Sequence, residues 1–421
     1  MNERWQALGR DQVRGDWTRA RHYPSIAVLP FRVAPDAGLT RYFADGVSTD
    51  IAGCLARMPE LRVIGASSPL PWRGPRVEPG EVAKVIGAHY ILTGQINRHD
   101  QRLTFSQKLF DARANEAVWT DKVEANIDEL FEIQRRIVAR VVNGIVPQLR
   151  QAEIQRAMLK TPESLTPYDM TLRAIPDIRG LKQKQFEAAR ELLKAAASCD
   201  PGYAMPIAWL ARSCSLKVGQ GWATDRAGEA AEGIKLANEA IKLDPTNSLA
   251  LGIAAHMHSF LLHDYDTALA LYDQAVEACH NDAFVWSYLS ATLVYLGRTV
   301  EARQAAEWAL QLSPFDECIH QLYFANALAC YGDADYEAAE TWSRKALSEN
   351  ANYTVSYRIL IAALVGQGRV IEACDVAHDL RRLEPTFRVV GGRNIPIKDP
   401  IIRERYFKHL RAAGALDPDP R

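Results

Sequence analysis

A repeated segment in the carboxyl-terminal part of the chain limits its fold more than any other feature. Six similar segments, AASCDP, AIKLDP, AVEACH, ALQLSP, ALSENA and LRRLEP, end 44, 35, 34, 37 and 34 positions apart. Such self-similarity predicts stacked units, each of which buries its apolar face only against its neighbours. The segments end at Pro201, Pro245, His280, Pro314, Ala351 and Pro385.

The fourth unit, which ends at Pro314, shows what one repeat contains. A first predicted helix closes at Gly297. The small residues Ala302 and Ala309 then allow a second helix to approach closely, and proline cannot continue a helix. This unit resembles the TPR repeat, whose period is 34 residues. The resemblance implies about six helix pairs over residues 161–385, arranged as a TPR-like superhelix.

Two of the spacings, 44 and 37, exceed the TPR period by more than one residue and indicate insertions. We place one insertion near Gly219–Trp222 and the other near Asp333–Asp335. After the last repeat, residues 386–421 contain the segment RERYFKHLRAAGALDP, which predicts one amphipathic helix. We therefore interpret residues 386–421 as a tail that caps the repeats.

Residues 25–125 have the pattern of a small α/β domain. Ser25–Phe31 is an apolar run of strand length, and helix spacing starts at Thr40. Arg102–Asp111 alternates polar and apolar residues, as a half-buried strand does. The predicted order is β-α-β-α-β-β-β, so the fold class is α+β overall, with a small α/β domain followed by an all-α TPR-like superhelix.

The segments SIAVLPF, YFADGVSTDIAGCLARMPELRVI, VAKVIGAHYILTGQI and LFDARANEAVWTDK are similar to the TolB amino-terminal-like domain. The resemblance implies a domain that accompanies class III adenylate cyclases or winged-helix regulators and precedes TPR repeats. It implies no catalytic role for any matching residue. The matching residues are Pro30, Phe31, Asp45, Gly46, Gly87, Gly94 and Trp119.

Two further segments complete the predicted organisation. Residues 1–24 are interpreted as an amino-terminal extension, too short for a cyclase or winged-helix domain. Residues 126–160 carry apolar residues at helical spacing and predict a connector helix, which Pro147 is expected to kink or break.

Composition and charge argue against several classes of function. The chain has 421 residues, with 50 Lys and Arg against 51 Asp and Glu, so a nucleic-acid partner is not expected. Residues 1–160 carry 23 basic and 18 acidic side chains, too small an excess for a DNA-binding domain. The apolar stretches are shorter than a membrane span, so no membrane insertion is predicted. Seven scattered cysteines without a CxxC pair favour a reducing, cytoplasmic location.

Known catalytic and metal-binding patterns do not occur in the sequence. It contains no GxxxxGK[ST], HExxH or GxSxG motif. His256, His258 and His263 are close in sequence, but the first two point to different sides of a helix. We therefore predict no enzymatic activity, no metal and no cofactor.

The first helix of each TPR pair lines the concave face of a superhelix, and this placement gives a candidate protein-binding groove. Aromatic and arginine side chains in an apolar groove suit a peptide. Inter-repeat core packing is the alternative for the same stripe of residues. The candidate groove residues are Arg212, His256, Phe260, Phe284, Tyr295, Gln321 and Arg358.

These observations favour a non-enzymatic regulatory or scaffold protein of bacterial signalling that binds a protein or peptide partner. The family resemblance adds a second hypothesis, the detached accessory half of a cyclase or transcription-regulator system. The alternative from another class is a sensor in which the α/β domain binds a nucleotide or metabolite, with Asp45 as the candidate residue. Asp45-Gly46 is also compatible with a turn and helix cap. A homo-oligomer is left open.

Overall fold

The computed structural model describes residues 23–34, 41–58, 61–64, 78–100, 102–126, 130–313, 318–384 and 396–415. Most of the predicted extension 1–24, the start of the predicted connector and parts of the predicted tail therefore lie outside the described residues. The chain divides into two compact units, Met1–Leu172 and Arg173–Arg421.

The amino-terminal unit contains a mixed sheet in the order β3-β1-β4-β5-β6. Strand β1 pairs in parallel with β3 and β4, and β4, β5 and β6 form an antiparallel meander. This arrangement confirms the predicted α/β domain. The strands are β1 (Ser25–Val28), β2 (Arg32–Val33), β3 (Arg62–Ile64), β4 (Tyr90–His99), β5 (Arg102–Asp111) and β6 (Glu116–Asn126).

The single strand predicted over Ser25–Phe31 is wrong in its second half. Regular pairing stops at Val28, and β2 resumes a parallel pairing with β4 at Arg32. Pro30 lies in this gap and has no N–H to donate to a neighbouring strand, which explains the interruption.

Three helices accompany the sheet. They are α1 (Arg41–Ala56), α2 (Pro79–Ile86) and α3 (Leu130–Leu159). The expected break at Pro147 does not occur, because α3 runs through this residue. Ile145 and Leu149 on either side are buried in the core that α3 shares with the sheet. Their burial offsets the hydrogen bond that a proline removes from a helix.

A cluster of charged residues, which we call the Glu153 cluster, also links α3 to the sheet. Glu153 accepts hydrogen bonds from Tyr90 Oη at 2.6 Å and from the guanidinium groups of Arg113 and Arg156. Arg156 also contacts Asp111 at 2.6 Å. Burial alone would raise the pKa of Asp111, but backbone N–H donors and the two arginines hold it below the usual value.

Four of the residues that carry the TolB-like resemblance have packing or turn roles. A Cβ on Gly94 would lie 2.5 Å from the Phe31 ring, so the absence of a side chain at Gly94 makes room for Phe31. The Trp119 indole lies against Gly144 of α3 in the same way. Gly87 ends α2 with φ 68°, which glycine adopts without strain.

The contact between Trp119 and Gly144 gives a test. A Cβ at Gly144 would lie 2.7 Å from the Trp119 ring. We expect Gly144→Ala to lower the free energy of unfolding by about 1 kcal/mol, because overpacking exceeds the gain in helix propensity. Gly53 of α1 is exposed, with open space around it, so Gly53→Ala is the control and should stabilise by about 1 kcal/mol. Urea denaturation of both variants measures these changes in the free energy of unfolding. Changes of the same sign in both variants would contradict the packing argument.

Twelve helices in six pairs form the TPR-like superhelix among the described residues. The first helices of the pairs, the A helices, are α4 (Pro167–Gly180), α6 (Ala204–Gly219), α8 (Ser248–Met257), α10 (Ala283–Tyr295), α12 (Ile319–Gly332) and α14 (Thr354–Gly366). The second helices, the B helices, are α5 (Gln183–Cys199), α7 (Arg226–Leu243), α9 (Tyr265–Ala278), α11 (Thr299–Leu312), α13 (Tyr336–Glu349) and α15 (Val370–Leu383).

Close approach within each pair depends on small residues and on one turn position. Ala302 and Ala309 are fully buried, as the repeat pattern predicted. The turn from each A helix to its B helix contains a residue with positive φ, and only half of these residues are glycine. They are Leu181, Gly221, His263, Gly297, Ala334 and Gly368.

Ala334 should be the easiest of these positions to improve. Its φ is 60°, its side chain is exposed, and a left-handed conformation costs a non-glycine residue roughly 1 kcal/mol. We expect Ala334→Gly to raise the free energy of unfolding by about 1 kcal/mol. The control is Ala195→Gly at an exposed position of helix α5, which should lower the free energy of unfolding by about 1 kcal/mol. Thermal unfolding compares the two, and destabilisation by both would refute the account of this turn.

The insertion predicted near Asp333–Asp335 is wrong. Three residues separate α12 from α13, and three also separate α10 from α11. The extra length instead precedes α12. Six residues lie between Leu312 and Ile319, whereas four lie between α9 and α10. The turn at Asp333–Asp335 has the ordinary length because its backbone must close an A–B pair as the other turns do.

The predicted tail contains helix α16 (Pro400–Ala412), which packs on the ends of two A helices. Arg405 donates hydrogen bonds to the carbonyls of Tyr331 and Gly332 at 2.8 and 2.6 Å. The backbone N–H groups of Lys398 and Asp399 both donate to the Tyr295 carbonyl. These contacts satisfy carbonyls that the last turns of α10 and α12 leave without intrahelical partners.

Candidate binding cleft on the concave face

A cleft opens between the A helices of the superhelix. Its walls come from α6, α8, α10, α12 and the start of α14, and it contains about 610 Å³ of space, part of it continuous with solvent. Its lining residues are Ser215, Leu216, Gly219, Gln220, His256, Phe260, Ser287, Tyr288, Ala291, Tyr295, Gln321, Phe324, Ala325, Tyr353 and Val355. We call this feature the concave cleft.

One wall of the concave cleft is a stack of three rings. His256 lies between Phe260 and Tyr288, with ring centroids 5.1 and 4.0 Å away and 7° between each pair of planes. Phe260 belongs to a π-helical turn, His258–Leu262, that follows α8 and was not predicted. Burial and then the charge of Arg212 lower the pKa of His256 to about 3, so its imidazole is neutral at neutral pH.

Beside this stack lies a hydrogen-bonded pair of polar side chains, of which Gln321 lines the concave cleft. Arg212 donates to Gln321 Oε1 at 2.8 Å, and its guanidinium lies 3.9 Å from the Phe284 ring centroid and 4.8 Å from that of Trp209. Arg212 is 1% exposed and Gln321 is 4% exposed. Because Oε1 of Gln321 faces the arginine, its Nε2 faces away from it.

Polar atoms beside the concave cleft lack partners in the described part of the chain. They are His256 Nδ1, Gln321 Nε2 and Arg212 Nε. Buried polar groups in native proteins are usually hydrogen-bonded, so these three atoms have a hydrogen-bonding capacity that no described residue uses.

The far end of the concave cleft is closed by contacts between the second and sixth helix pairs. Gln220 donates to the Asn352 carbonyl at 2.6 Å, and its Oε1 accepts from Thr354 Oγ1 at 2.9 Å. Arg358 contacts the Gly219 carbonyl at 3.0 Å and Glu384 at 2.6 Å. These contacts fix the distance between α6 and α14.

The structure brings six of the seven candidate groove residues to the concave cleft. His256, Phe260, Tyr295 and Gln321 line it, and Arg212 and Phe284 pack directly behind its wall. Arg358 instead belongs to the closure, where Glu384 already neutralises its charge.

Sequence reasoning missed several lining residues. Tyr288 was detectable, because it lies four residues after Phe284 on the same helical face. Gln220 and Tyr353 lie just outside the ends of A helices, where helical periodicity gives no signal.

Other sequence candidates occupy ordinary positions. Asp45 lies inside α1, half-buried, and its carbonyl accepts a hydrogen bond from Thr49 Oγ1. The predicted turn and cap at Asp45-Gly46 is therefore wrong, because α1 already begins at Arg41. No group of His, Cys, Asp or Glu suited to a metal ion is found in the described ranges. His258 contacts Asp264 at 3.1 Å instead.

The described residues thus define a class of protein, a small α/β domain followed by a TPR-like helical superhelix. Within the part of the chain that the structure describes, no helix has the length and apolar character needed to cross a membrane.

Comparison with known proteins gives partial matches. No protein-family model matches the chain. The chain is 26% identical over 221 residues to "Putative adenylate cyclase 3" of Rhizobium meliloti (strain 1021), a match that covers 52% of this chain and 38% of that protein. The chain therefore spans well under half the length of this relative.

Two solved structures are similar to parts of the chain. TolB from Acinetobacter baumannii matches at 18% identity and a TM-score of 0.24, over 30% of this chain and 28% of that one. The APC/C hetero-tetramer Cut9-Hcn1 matches at 13% identity and a TM-score of 0.43, over 66% of this chain and 52% of that one.

Proposed function

We propose that this chain is a non-enzymatic regulatory scaffold that binds a protein partner in the concave cleft. The observation that carries the proposal is the group of buried polar atoms without partners, Gln321 Nε2 and His256 Nδ1, on walls made by different helix pairs. A ligand that reaches both atoms satisfies them at once.

The construction of the concave cleft supports a binding role. Most of its side chains project from helices, and contacts such as Gln220 to Thr354 hold those helices together. A site on rigid elements loses little conformational entropy when it binds a partner. Aromatic side chains such as Phe260, Tyr288 and Tyr353 provide the anchoring contacts that dominate binding energy in protein interfaces.

We also propose that the partner belongs to a nucleotide-cyclase or transcription-regulator system, in which this chain is the accessory component. The support is the similarity of half of the chain to a relative named as an adenylate cyclase. In this proposal the partner supplies the effector activity, and the chain supplies the binding surface.

The test is affinity capture from the source cell, with two variants from the same π-helical turn. Phe260→Glu places a charge in the aromatic wall, and we expect it to reduce capture of the partner at least about tenfold. Leu262→Glu is the matched control, because Leu262 is 49% exposed and does not line the concave cleft, so capture should be unchanged.

Thermal unfolding of both variants tests whether they remain folded, and Val355→Glu, at another wall, provides a second cleft variant. Equal capture by the wild type and all three variants would contradict the proposed function. A captured protein with a cyclase or DNA-binding effector domain would support the accessory role. A captured protein of another class would contradict that role.

A further inference from the structure

Arg212 is a buried cation whose charge is not neutralised by a carboxylate. It is 1% exposed, and none of the ion pairs among the described residues includes it. Its neighbours are the amide of Gln321 and the rings of Trp209 and Phe284. A buried charge is costly unless it is paired, so this arrangement is complete only when an anion is nearby.

Gln321 links this buried cation to the lining of the concave cleft. The guanidinium donates to Oε1 at 2.8 Å, which polarises the amide and strengthens Nε2 as a donor. Nε2 has no partner among the described residues, and Gln321 lines the concave cleft. The pair therefore offers one strong donor to a ligand oxygen.

The positive charge also acts on the rings around the concave cleft. After burial, which has the larger influence, Arg212 is the next cause that lowers the pKa of His256. It also opposes the rise that burial causes in the pKa of Tyr288 and of Tyr353. The positive charge of Arg212 therefore lies close to the rings that line the concave cleft, although no cationic side chain lines it.

The part of the lining next to Gln321 includes the apolar residues Phe324 and Ala325, and Leu216 and Ala291 add to the apolar surface of the concave cleft. These residues offer no hydrogen bonds from their side chains to a peptide backbone. A backbone segment buried there would leave its own N–H and C=O groups without partners. A single side chain fits these walls better than a chain end with its adjoining amide groups.

We propose that the concave cleft binds an acidic side chain of the partner, with Gln321 Nε2 as the hydrogen-bond donor and Arg212 as the source of the neutralising charge. The proposal rests on the proposed function and specifies the chemistry of the partner. The apolar stem of the aspartate or glutamate packs between Ala291 and Phe324, and the backbone of the partner stays at the mouth.

The test uses the full chain and two probes, 3-phenylpropionate and its neutral amide, 3-phenylpropanamide, in isothermal titration calorimetry. We expect the acid to bind about tenfold more tightly than the amide, since a charge-assisted hydrogen bond adds this much. Gln321→Leu should remove the preference, and Gln311→Leu, at an exposed position of α11, should retain it. N-acetylphenylalanine, which carries a chain-terminal carboxylate beside an amide, should bind more weakly than 3-phenylpropionate.

Equal affinity for acid and amide, or no binding of either probe, would overturn this inference. So would tighter binding of N-acetylphenylalanine, which would indicate a chain terminus as the ligand. If the preference for the acid is absent while Phe260→Glu still abolishes partner capture, the proposed function stands without the acidic side chain. If the preference is present while Phe260→Glu captures normally, the anion site stands and the proposed function fails.

Discussion

Glu153→Leu is expected to lower the free energy of unfolding by about 3 kcal/mol, the largest loss that we predict for a single substitution in the amino-terminal unit. Glu153 is 5% exposed and accepts hydrogen bonds from Tyr90, Arg113 and Arg156. The substitution leaves the fully buried Tyr90 hydroxyl without its acceptor. It also leaves two arginines close together with only Asp111 to balance them.

The arginines limit the size of this effect. Their side chains are 32% and 29% exposed, so water compensates part of the lost pairing. The control is Glu124→Leu, because Glu124 forms an exposed pair with Lys122 at 2.9 Å and should contribute little to stability. Urea denaturation, with hydrogen exchange of β4 and β5 to locate the change, measures both variants. A loss below about 1 kcal/mol for Glu153→Leu would show that the Glu153 cluster does not hold α3 on the sheet.

Arg212→Met is expected to separate stability from binding. It removes a buried charge that has no carboxylate partner and replaces it with an apolar side chain, so the free energy of unfolding should rise by about 1 kcal/mol. The gain is reduced by the loss of the contacts between the cation and the rings of Trp209 and Phe284. Capture of the partner should fall at least about tenfold, because the Gln321 amide loses the neighbouring charge that polarises it.

Arg190→Met is the matched control for this substitution. Arg190 is also buried, at 8% exposure, but it pairs with Glu229 at 2.5 Å. Its replacement leaves a half-buried carboxylate with only Lys217 at 3.2 Å, so stability should fall by about 3 kcal/mol while the concave cleft keeps its donor. Thermal unfolding compares the two variants. Destabilisation of equal size in both would show that Arg212 is an ordinary structural arginine.

The sequence predicted those parts of the fold that local patterns determine. The spacing of the repeat ends, the small residues Ala302 and Ala309, and the alternation in Arg102–Asp111 all correspond to structure that a few neighbouring residues specify. The left-handed turns were predictable at Gly297, but not at Ala334, because alanine gives no sign of a positive φ.

The concave cleft was predictable only in outline. Helical periodicity placed His256, Phe260 and Tyr295 on one face. The contact between Arg212 and Gln321 joins residues 109 positions apart, and the contact between Gln220 and Thr354 joins residues 134 positions apart. Such contacts depend on the curvature of the whole superhelix, which accumulates over several repeats and which no single repeat encodes. The π-helical turn that positions Phe260 has no sequence signature either.

The most direct test of the binding site is photo-crosslinking in the source cell. p-Benzoylphenylalanine replaces Val355, which lines the concave cleft, or Val300, which lies on B helix α11 with 66% of its surface exposed. Our account predicts a discrete crosslinked product from position 355 that disappears in the Arg212→Met background, and no such product from position 300. A product of the same mass from position 300, or no product from position 355, would contradict the concave cleft as the site where the partner binds. A product from position 355 that survives Arg212→Met would contradict the role of Arg212.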